Sequence, residues 1–445
     1  MKNLFIKYRN TNLILRIVIG LAIGTTVGIL CNLAVNHQGG LHENQIVVNC
    51  LGALAVTFQV FGNLFIGGLR AIAPILVFFL ITASLMGAKK AGSKTVQKTM
   101  GLYALGTFSA AFIAVVINVF FPVTLALPSD VDISQYSAPE GMGDIVVNIF
   151  TSIVANPLDA IANANFLGVI FWSILFGIIA RPIFPDRIKE GFQKIAEVLT
   201  GIVKVIIDFA PFGIAGLVFT AILDNGIGIF TDYGMLLCVY TSILVFIAFG
   251  FNALIVGVVM RRNPYPLIFR TIKDVAVTAF FMRSSAANIP VNMKFCEELH
   301  LDEKAYSITI PIGSTINMEG ASITIITLTL ACCHTLGINM DFGTALLLSL
   351  IAAISAVGTS GVSGGSILLV PMACSLFGIS GDIAAGVVAV GFIIGVIQDS
   401  VETALNSSTD GLFTAAVQLR EQIVTGKPYH KIVGGTLDDK SKCRF

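Results

Sequence analysis

The chain has 445 residues, of which 55% are hydrophobic and only 12% are charged. Soluble domains carry about a quarter charged residues, so this composition predicts a membrane protein and excludes soluble enzymes and nucleic-acid-binding proteins. The formal net charge is +1, which gives no bias toward a polyanionic partner. Eight cysteines form neither a CxxC pair nor a zinc-type spacing, so the sequence predicts no disulfide framework and no resident metal cofactor.

Apolar segments long enough to span a bilayer follow one another along the chain. After a basic start, the run from Leu13 to Ala34 predicts the first transmembrane helix. The further segments lie at 48–88, 99–128, 145–180, 196–223, 234–260, 266–293, 305–335, 343–377 and 383–419. Polar Ser, Gly and Asn clusters interrupt 266–293 and 343–377, which predicts two re-entrant helical hairpins there.

The loops between these segments alternate in charge. Lys and Arg are concentrated at 86–100, 181–194 and 261–273, and they are absent from 36–47, 122–147, 223–236, 334–345 and 376–383. Basic loops stay in the cytoplasm. The pattern predicts an all-α polytopic membrane protein with eight transmembrane helices, two hairpins and both termini in the cytoplasm. A hairpin followed by a helix occurs twice in opposite orientation, an inverted repeat that transporters use to place a site at mid-membrane.

The first polar cluster is Arg283–Asn292. Its small hydroxyl residues and Pro290 would end one half-helix and start another. A helix end of this kind exposes backbone N–H groups that suit a carboxylate. The alternative is a serine-rich bend that is sealed against its neighbours.

The second polar cluster is Gly313–Ala321, which places Asn317 and Glu319 in mid-membrane. The glycines allow local unwinding, and freed carbonyls together with these two side chains would form an oxygen cage for a small hard cation. The alternative is a buried, protonated Glu319.

The third polar cluster is Asp399–Asp410, within the last long apolar segment. Spacings of four, three and four put four polar residues on one helix face, with Glu402 beside it. They are Asp399, Thr403, Asn406 and Asp410. Three carboxylates in lipid need compensating cations. A Gly/Ser run at 356–366 would form the tip of the second hairpin.

Four stretches resemble, in order and spacing, the dicarboxylate/amino acid:cation symporter family, the glutamate transporter homologues. They are Arg283–Asn292, Gly313–Ala321, Val357–Ser366 and Asp399–Asp410. The resemblance implies an elevator-type homotrimer in the bacterial inner membrane. It also implies three parts of the chain: mainly scaffold and trimerisation helices at 1–260, a core transport domain at 261–420 and a cytoplasmic tail at 421–445. Of the helices at 1–260, the third and sixth transmembrane segments contribute to the transport domain.

The resemblance also implies residue roles. Asp399 would hold the substrate amino group, and the pocket would further include Ser285, Ala321, Val362, Gly365, Glu402, Thr403 and Asn406. One Na⁺ site would comprise Gly313, Asn317, Asn406 and Asp410, with Glu319 in the same stretch. A second would comprise Thr315, Ala356, Val357 and Thr359, and a third-cation region would include Tyr103 and Thr107.

Departures from the family pattern point to the substrate. Members that carry acidic amino acids have Arg where this chain has Glu402 and Thr where it has Ala321. A small neutral substrate is therefore expected, and the pattern is most similar to the bacterial members that carry serine and threonine. Glu319 replaces the usual Asp, and Gly106 replaces a hydroxyl residue of the third-cation region, which leaves the number of cations open.

The resulting hypothesis is a secondary transporter, not an enzyme, that imports L-serine and L-threonine by symport with Na⁺. One alternative is symport of other small neutral amino acids or of acidic ones, and another is coupling to protons through Glu319 or Glu402. An ion channel is the alternative from a different class, because a channel could also place acids in mid-membrane.

Overall fold

The described part of the chain is helical. The computed structural model describes residues 13–36, 45–87, 94–126, 151, 153–163, 165–338, 340–359 and 364–425. Within these ranges there is no β-strand, which confirms the predicted all-α class.

The helices are numbered here in chain order. The first nine are α1 (Leu13–Asn36), α2 (Gln45–Gly87), α3 (Lys94–Phe120), α4 (Pro157–Ala162), α5 (Phe166–Ile183), α6 (Asp186–Asp208), α7 (Ala210–Asn225), α8 (Ile229–Phe246) and α9 (Asn252–Met260). The others are α10 (Tyr265–Thr271), α11 (Val277–Met282), α12 (Ile289–Glu298), α13 (Glu303–Ile316), α14 (Glu319–Thr335), α15 (Phe342–Ala356), α16 (Val370–Ser375) and α17 (Gly381–Val424). Single π-helical turns join α8 to α9 and α10 to α11.

By length and composition, six helical stretches of the described chain could cross a membrane. They are Leu15–Leu33, Gly52–Gly87, Lys94–Phe120, Ile229–Met260, Glu303–Thr335 and Gly381–Val424. A seventh span results if α6 and α7, which are bent by 54° relative to each other, are counted together. The multi-pass character predicted from the sequence is confirmed, whereas the count of eight crossings stays a prediction.

Helices α1 and α7 pack closely along a row of glycines. Gly20, Gly24 and Gly28 recur every fourth residue, so they share one face of α1. A Cβ atom added at Gly20 would overlap the carbonyl of Pro211, and one at Gly24 would overlap that of Ala215. Small residues at such spacing let two membrane helices approach to backbone contact.

Replacing Gly20 with Ala is expected to destabilise the folded protein by about 1–3 kcal/mol, because the added methyl group has no space against Pro211. The thermal midpoint of the detergent-purified protein measures this effect. Gly67→Ala in α2 is the matched control, because a Cβ atom there would meet nothing within 4 Å. Equal midpoints for the two variants would contradict the packing argument.

Both predicted hairpins occur as helix–turn–helix units. In the first, α10 and α11 end at Arg283, which adopts a left-handed conformation (φ 51°), and α12 returns after a turn with Pro290 in its first turn. In the second, α15 leads to a 3₁₀ turn at Val357–Thr359, and a second 3₁₀ turn at Ile367–Leu369 leads into α16. The tip segment 360–363, which includes Val362, lies outside the described residues.

The polar clusters converge where α14 and α17 cross the interior. Helix α13 ends at Ile316, and α14 starts at Glu319, so the chain is unwound at Asn317 and Met318, as the glycine pattern predicted. Every residue of α14 from Glu319 to Cys333 is buried. Helix α17 is continuous over 44 residues and contacts α13, α14, α16 and both hairpins.

Candidate functional site

Asp399 lies where the two hairpins meet α17. Its Oδ2 atom accepts a hydrogen bond from Arg283 Nε at 2.7 Å, and its Oδ1 atom accepts one from the Gly364 amide at 3.2 Å. The carboxylate is 3% exposed, and the Arg283 side chain is 10% exposed. Arg283 Nη2 also donates to the Gly395 carbonyl at 3.2 Å. The structure therefore places a buried, charge-paired carboxylate between the two hairpins.

A narrow cavity lies beside this ion pair. Its walls come from both hairpins, from α17, from the start of α1 and from the break between α6 and α7. They include Leu13 and Ile17 of α1, Ile207 and Ala210 at the break, and Arg283, Gly364 and Asp399. Ser285 belongs to the same turn as Arg283 and is buried, and Gly365, next to Gly364, is partly buried. Asp399, which is predicted to hold the substrate amino group, thus lines this cavity, and Ser285 and Gly365 lie within two residues of other residues that line it.

Around Asp410, four residues predicted as cation ligands come together. Asn317 Nδ2 donates to Asp410 Oδ1 at 2.9 Å, and Gly320 N donates to Asn406 Oδ1 at 2.7 Å. Gly313 packs against the carboxylate so closely that an added Cβ atom would lie 2.7 Å from Oδ1. Asp410 itself is completely buried. The unwound turn after α13 therefore delivers an amide, a carboxylate and backbone groups to one place.

Several oxygens in this region lack a hydrogen-bond donor among the described residues. They are Asn317 Oδ1, Asp410 Oδ2 and Glu319 Oε1, all buried. Buried acceptors without donors are costly unless something else satisfies them, and a hard cation does so through oxygen ligands. No group of three or more His, Cys, Asp or Glu residues with metal-binding geometry occurs in the described chain, so a cation here would need amide or carbonyl oxygens in addition to carboxylate oxygens.

Tyr103 of α3 also contacts the Asp410 region. Its hydroxyl lies 3.0 Å from the Asp410 carbonyl and 2.9 Å from Thr414 Oγ1. One turn further along α3, Thr107 Oγ1 accepts a hydrogen bond from the Met318 amide at 3.1 Å. Both residues of the predicted third-cation region therefore contact the unwound turn or its partner helix.

Glu319 and Gly106 are complementary in size. Asn252, at the start of α9 directly after a π-helical turn, donates to Glu319 Oε2 at 2.7 Å. The other carboxylate oxygen lies over Gly106, where an added Cβ atom would overlap it. The two departures from the family pattern thus compensate each other, because a glycine on α3 makes room for the longer acid.

We expect Gly106→Thr to weaken folding, by about 1–3 kcal/mol, because the new side chain would overlap Glu319 and Phe413. Combining it with Glu319→Asp, which withdraws the carboxylate by one methylene group, should recover part of this loss. Thermal midpoints of the two single variants and the double variant measure the effect as a double-mutant cycle. Strictly additive losses would show that the two positions are not coupled.

Glu402 lies in a buried polar cluster. Its Oε2 atom accepts hydrogen bonds from Thr324 Oγ1 at 2.6 Å, from Ser366 Oγ at 2.7 Å and from Gln398 Nε2. The Tyr240 hydroxyl lies 2.9 Å from Thr324 Oγ1 and extends the cluster to α8. Ala321 and Thr403 are both buried, on α14 and α17 respectively. A carboxylate is thus held by donors from α14, the second hairpin and its own helix.

The residues predicted for a second cation site lie on α13 and at the end of the first arm of the second hairpin, next to its tip. Thr315 Oγ1 donates to the Ile312 carbonyl within its own helix at 2.8 Å, and Thr359 Oγ1 donates to the Ala356 carbonyl at 2.8 Å. Helix α13 contacts the turn Val357–Thr359. The structure therefore brings these two elements together, and the predicted cation role of Thr315, Ala356, Val357 and Thr359 stays a prediction.

Several polar residues of the site escaped the sequence analysis. The five are Thr324, Ser366, Gln398, Asn252 and Ser407, and the last accepts hydrogen bonds from Asn288 and Asn292 of the first hairpin. Thr324 and Asn252 lie in apolar segments, Gln398 directly precedes the third polar cluster, and Ser366 and Ser407 lie inside named stretches but received no role of their own. An intramembrane polar residue needs a partner, so their positions were a signal, but only the fold shows which partner each one finds.

Comparison with known proteins decides the family. A model of the Sodium:dicarboxylate symporter family matches residues 13–419. The chain belongs to this family. It is 49% identical over 429 residues to Serine/threonine transporter SstT of Streptococcus agalactiae serotype Ia, which covers 96% of this chain and all of that protein. A protein of the same name from Streptococcus thermophilus is 46% identical over 418 residues, or 94% of this chain and 98% of the relative.

Membership in the symporter family confirms the assignment made from the four sequence stretches. It also confirms that the chain is a transporter and not an enzyme. The family match covers both hairpins, the unwound turn and α17 as far as Leu419, so every described residue of the candidate site lies inside the matched region.

Proposed function

We propose that this transporter imports L-serine and L-threonine by symport with Na⁺ across a bacterial plasma membrane. The observation that carries the proposal is the pair of buried carboxylates on α17, Asp399 at the junction of the hairpins and Glu402 one turn further. The first can bind an ammonium group, and the second disfavours a carboxylate on the substrate side chain. The printed names of the two streptococcal relatives support the choice of serine and threonine.

The proposed substrate contacts are those that the resemblance to the symporter family implies. Asp399 would receive the α-ammonium group, with Thr403 and Asn406 toward the α-amino and carboxylate end. Ser285 and the hairpin residues Val362 and Gly365 would complete the pocket, and Ala321 leaves space where acidic-substrate relatives carry a larger hydroxyl residue. Polar groups of this kind, few in number and convergent, fix the orientation of a small ligand.

The proposed cation sites use the oxygens near the unwound turn. Na⁺ is a hard ion that suits carbonyl and carboxylate oxygens, and broken helices supply them in transporters. One ion would bind among Gly313, Asn317, Asn406 and Asp410, where buried acceptors lack donors in the described chain. A second would bind between Thr315 and the end of the first arm of the second hairpin, at Ala356, Val357 and Thr359. Tyr103, Thr107 and Glu319 mark where a third would lie.

The direction of transport and the domain motion are part of the same proposal. The cavity beside Asp399 is lined by Leu13 and Ile17, in the first turns of α1. Because the basic N-terminus is predicted to be cytoplasmic, this cavity would lie toward the cytoplasmic side and would suit release inside the cell. We propose that residues 261–420 move as a unit against a trimeric scaffold, together with the third and sixth predicted transmembrane segments, 99–128 and 234–260.

Uptake of radiolabelled serine into proteoliposomes tests the proposal. Serine and threonine should accumulate only when Na⁺ is higher outside, and each should compete with the other. Accumulation driven by a proton gradient without Na⁺ would favour the proton-coupled alternative, and preference for alanine-like substrates would favour the broader neutral one. A flux of ions that does not saturate with amino acid would point to a channel.

Substrate choice is expected to change when Glu402 is replaced by Arg together with Ala321→Thr. Serine uptake should fall and aspartate should begin to compete with labelled serine, because a cation replaces the acid near the substrate side chain. The hydroxyls of Thr324 and Ser366 can accept as well as donate hydrogen bonds, so they offer acceptors to the arginine. If aspartate fails to compete while the folded variant still binds Na⁺, Glu402 does not determine the choice between acidic and neutral substrates.

A further inference from the structure

The second hairpin is attached to α17 at two carboxylates that lie three residues apart. Directly after the tip, the Gly364 amide donates to Asp399 Oδ1 at 3.2 Å, and Ser366 Oγ donates to Glu402 Oε2 at 2.7 Å. Residues three apart on a helix lie on the same face. A single turn of the hairpin, Gly364–Ser366, therefore rests on both acids at once.

This turn has little freedom to move. Gly364 has a left-handed backbone conformation (φ 75°), and an added Cβ atom would lie 3.0 Å from the ring of Phe392. Ser366 is only 1% exposed, and Ile367, which follows it, is fully buried. Ile367 packs against Gly391 of α17, where an added Cβ atom would lie 2.8 Å from its side chain.

The hydrogen bonds to Glu402 limit what its carboxylate can do. Three protein donors, from Thr324, Ser366 and Gln398, converge on the single oxygen Oε2. A carboxylate oxygen has about two lone-pair sites, so these donors saturate it. Oε2 is therefore engaged in holding protein groups in place, and only the Ser366 bond reaches the second hairpin.

We propose that Glu402 acts as a positioning residue for Asp399 through Ser366. The Ser366–Glu402 hydrogen bond fixes the turn Gly364–Ser366 on α17, and the fixed turn keeps the Gly364 amide on Asp399, which orients the carboxylate for the substrate ammonium group. The role of Asp399 rests on the proposed function. The contact itself does not, so it can be tested without any substrate.

The test is a double-mutant cycle with Ser366→Ala, Glu402→Gln and the combination of both, assayed by Na⁺-driven serine uptake. Ser366→Ala should raise the KM for serine about tenfold, as expected for loss of a hydrogen bond to a charged group. The maximal rate per transporter should change less than about twofold, because the lost hydrogen bond weakens the binding of serine and not the steps that follow binding. Ser366→Thr keeps the hydroxyl and should restore the KM.

The two single effects should not add, because Ser366→Ala removes the hydrogen bond that Glu402→Gln weakens by taking the charge from its acceptor. Ser349→Ala is the matched control: this buried hydroxyl of the second hairpin donates only within its own helix, to the Ala345 carbonyl at 2.8 Å. An unchanged KM in Ser366→Ala, with a raised KM in Glu402→Gln, would overturn the proposal and assign Glu402 a direct contact with the substrate. Fully additive effects would overturn it as well.

Hydrogen exchange of the substrate-free protein separates this proposal from the proposed function. Amides of the peptide that covers Gly364–Ile367 should exchange faster in Ser366→Ala and Glu402→Gln than in the wild type, and Ser349→Ala should leave them unchanged. Unchanged exchange in both variants would refute the positioning role even if serine is transported. Faster exchange in a protein that shows no Na⁺-dependent serine uptake would uphold the contact and refute the assigned substrate.

Discussion

Replacing Asp399 with Asn is expected to abolish uptake of serine and threonine alike. The variant keeps the shape of the side chain but removes the charge that would pair with the ammonium group common to both substrates. It also leaves the Arg283 guanidinium, which now lies 2.7 Å from the carboxylate, without its counter-charge in a buried position. Loss of one partner of a buried pair also lowers folding stability by about 3–5 kcal/mol. Loss of a hydrogen bond to a charged group weakens binding by about 1.5–3 kcal/mol, so the affinity for both substrates should fall about 10- to 100-fold.

Initial rates of labelled serine and threonine uptake measure this effect, with surface expression or purified yield as the check on folding. Ser400→Ala is a suitable control, because this neighbouring hydroxyl donates to the Val396 carbonyl within its own helix. Near-normal affinity for one of the two substrates in Asp399→Asn would show that the carboxylate recognises something other than the shared ammonium group.

The pairing of Arg283 with Asp399 affects how a substrate can bind to Asp399. A substrate ammonium group must share Asp399 with the guanidinium or displace it, and Arg283 can then turn to another acceptor such as the Gly395 carbonyl, to which it already donates. Because a lysine ammonium lacks the planar fork that reaches Asp399 and the Gly395 carbonyl together, Arg283→Lys should weaken these two contacts and alter affinity without removing the positive charge. The first hairpin would thus take part in the proposed site through its tip arginine as well as through Ser285.

Much of this architecture was predictable from the sequence because it depends on local pattern. The break at Asn317 follows from the glycines on either side and from polar residues in an apolar segment, and both hairpins follow from the same kind of signal. The shared face of Asp399 and Asp410 follows from helical spacing alone. These features depend on neighbours within a few residues, so a single sequence contains the information.

Contacts between distant segments could not be predicted in this way. Arg283 and Asp399 are 116 residues apart, and Thr324 and Glu402 are 78 residues apart. Which serine or threonine of an apolar segment meets a given acid depends on how helices are rotated and shifted against one another. Only the folded chain therefore shows that Glu402 holds the second hairpin and that Gly106 makes room for Glu319.

The Na⁺ dependence of uptake is expected to change most when Asp410 is replaced. Asp410→Asn keeps an acceptor for the Asn317 amide but removes the only negative charge of the set Gly313, Asn317, Asn406 and Asp410. The Na⁺ concentration for half-maximal serine uptake should rise at least about tenfold, because a charged oxygen binds a cation more strongly than a neutral one. Serine affinity at saturating Na⁺ should change far less, since the two ligands are linked only through coupling.

A second variant tests the same site without altering its charge. Gly313→Ala would place a Cβ atom 2.7 Å from Asp410 Oδ1 and 2.9 Å from the Tyr103 hydroxyl, so it should displace the carboxylate and also raise the required Na⁺ concentration. Asp382→Asn, at the exposed start of the same helix, is the matched control for loss of an acid. If Na⁺ titrations of serine uptake coincide for wild type, Asp410→Asn and Gly313→Ala, the cation does not bind at Asp410. The buried oxygens without donors around Asn317 would then need another explanation.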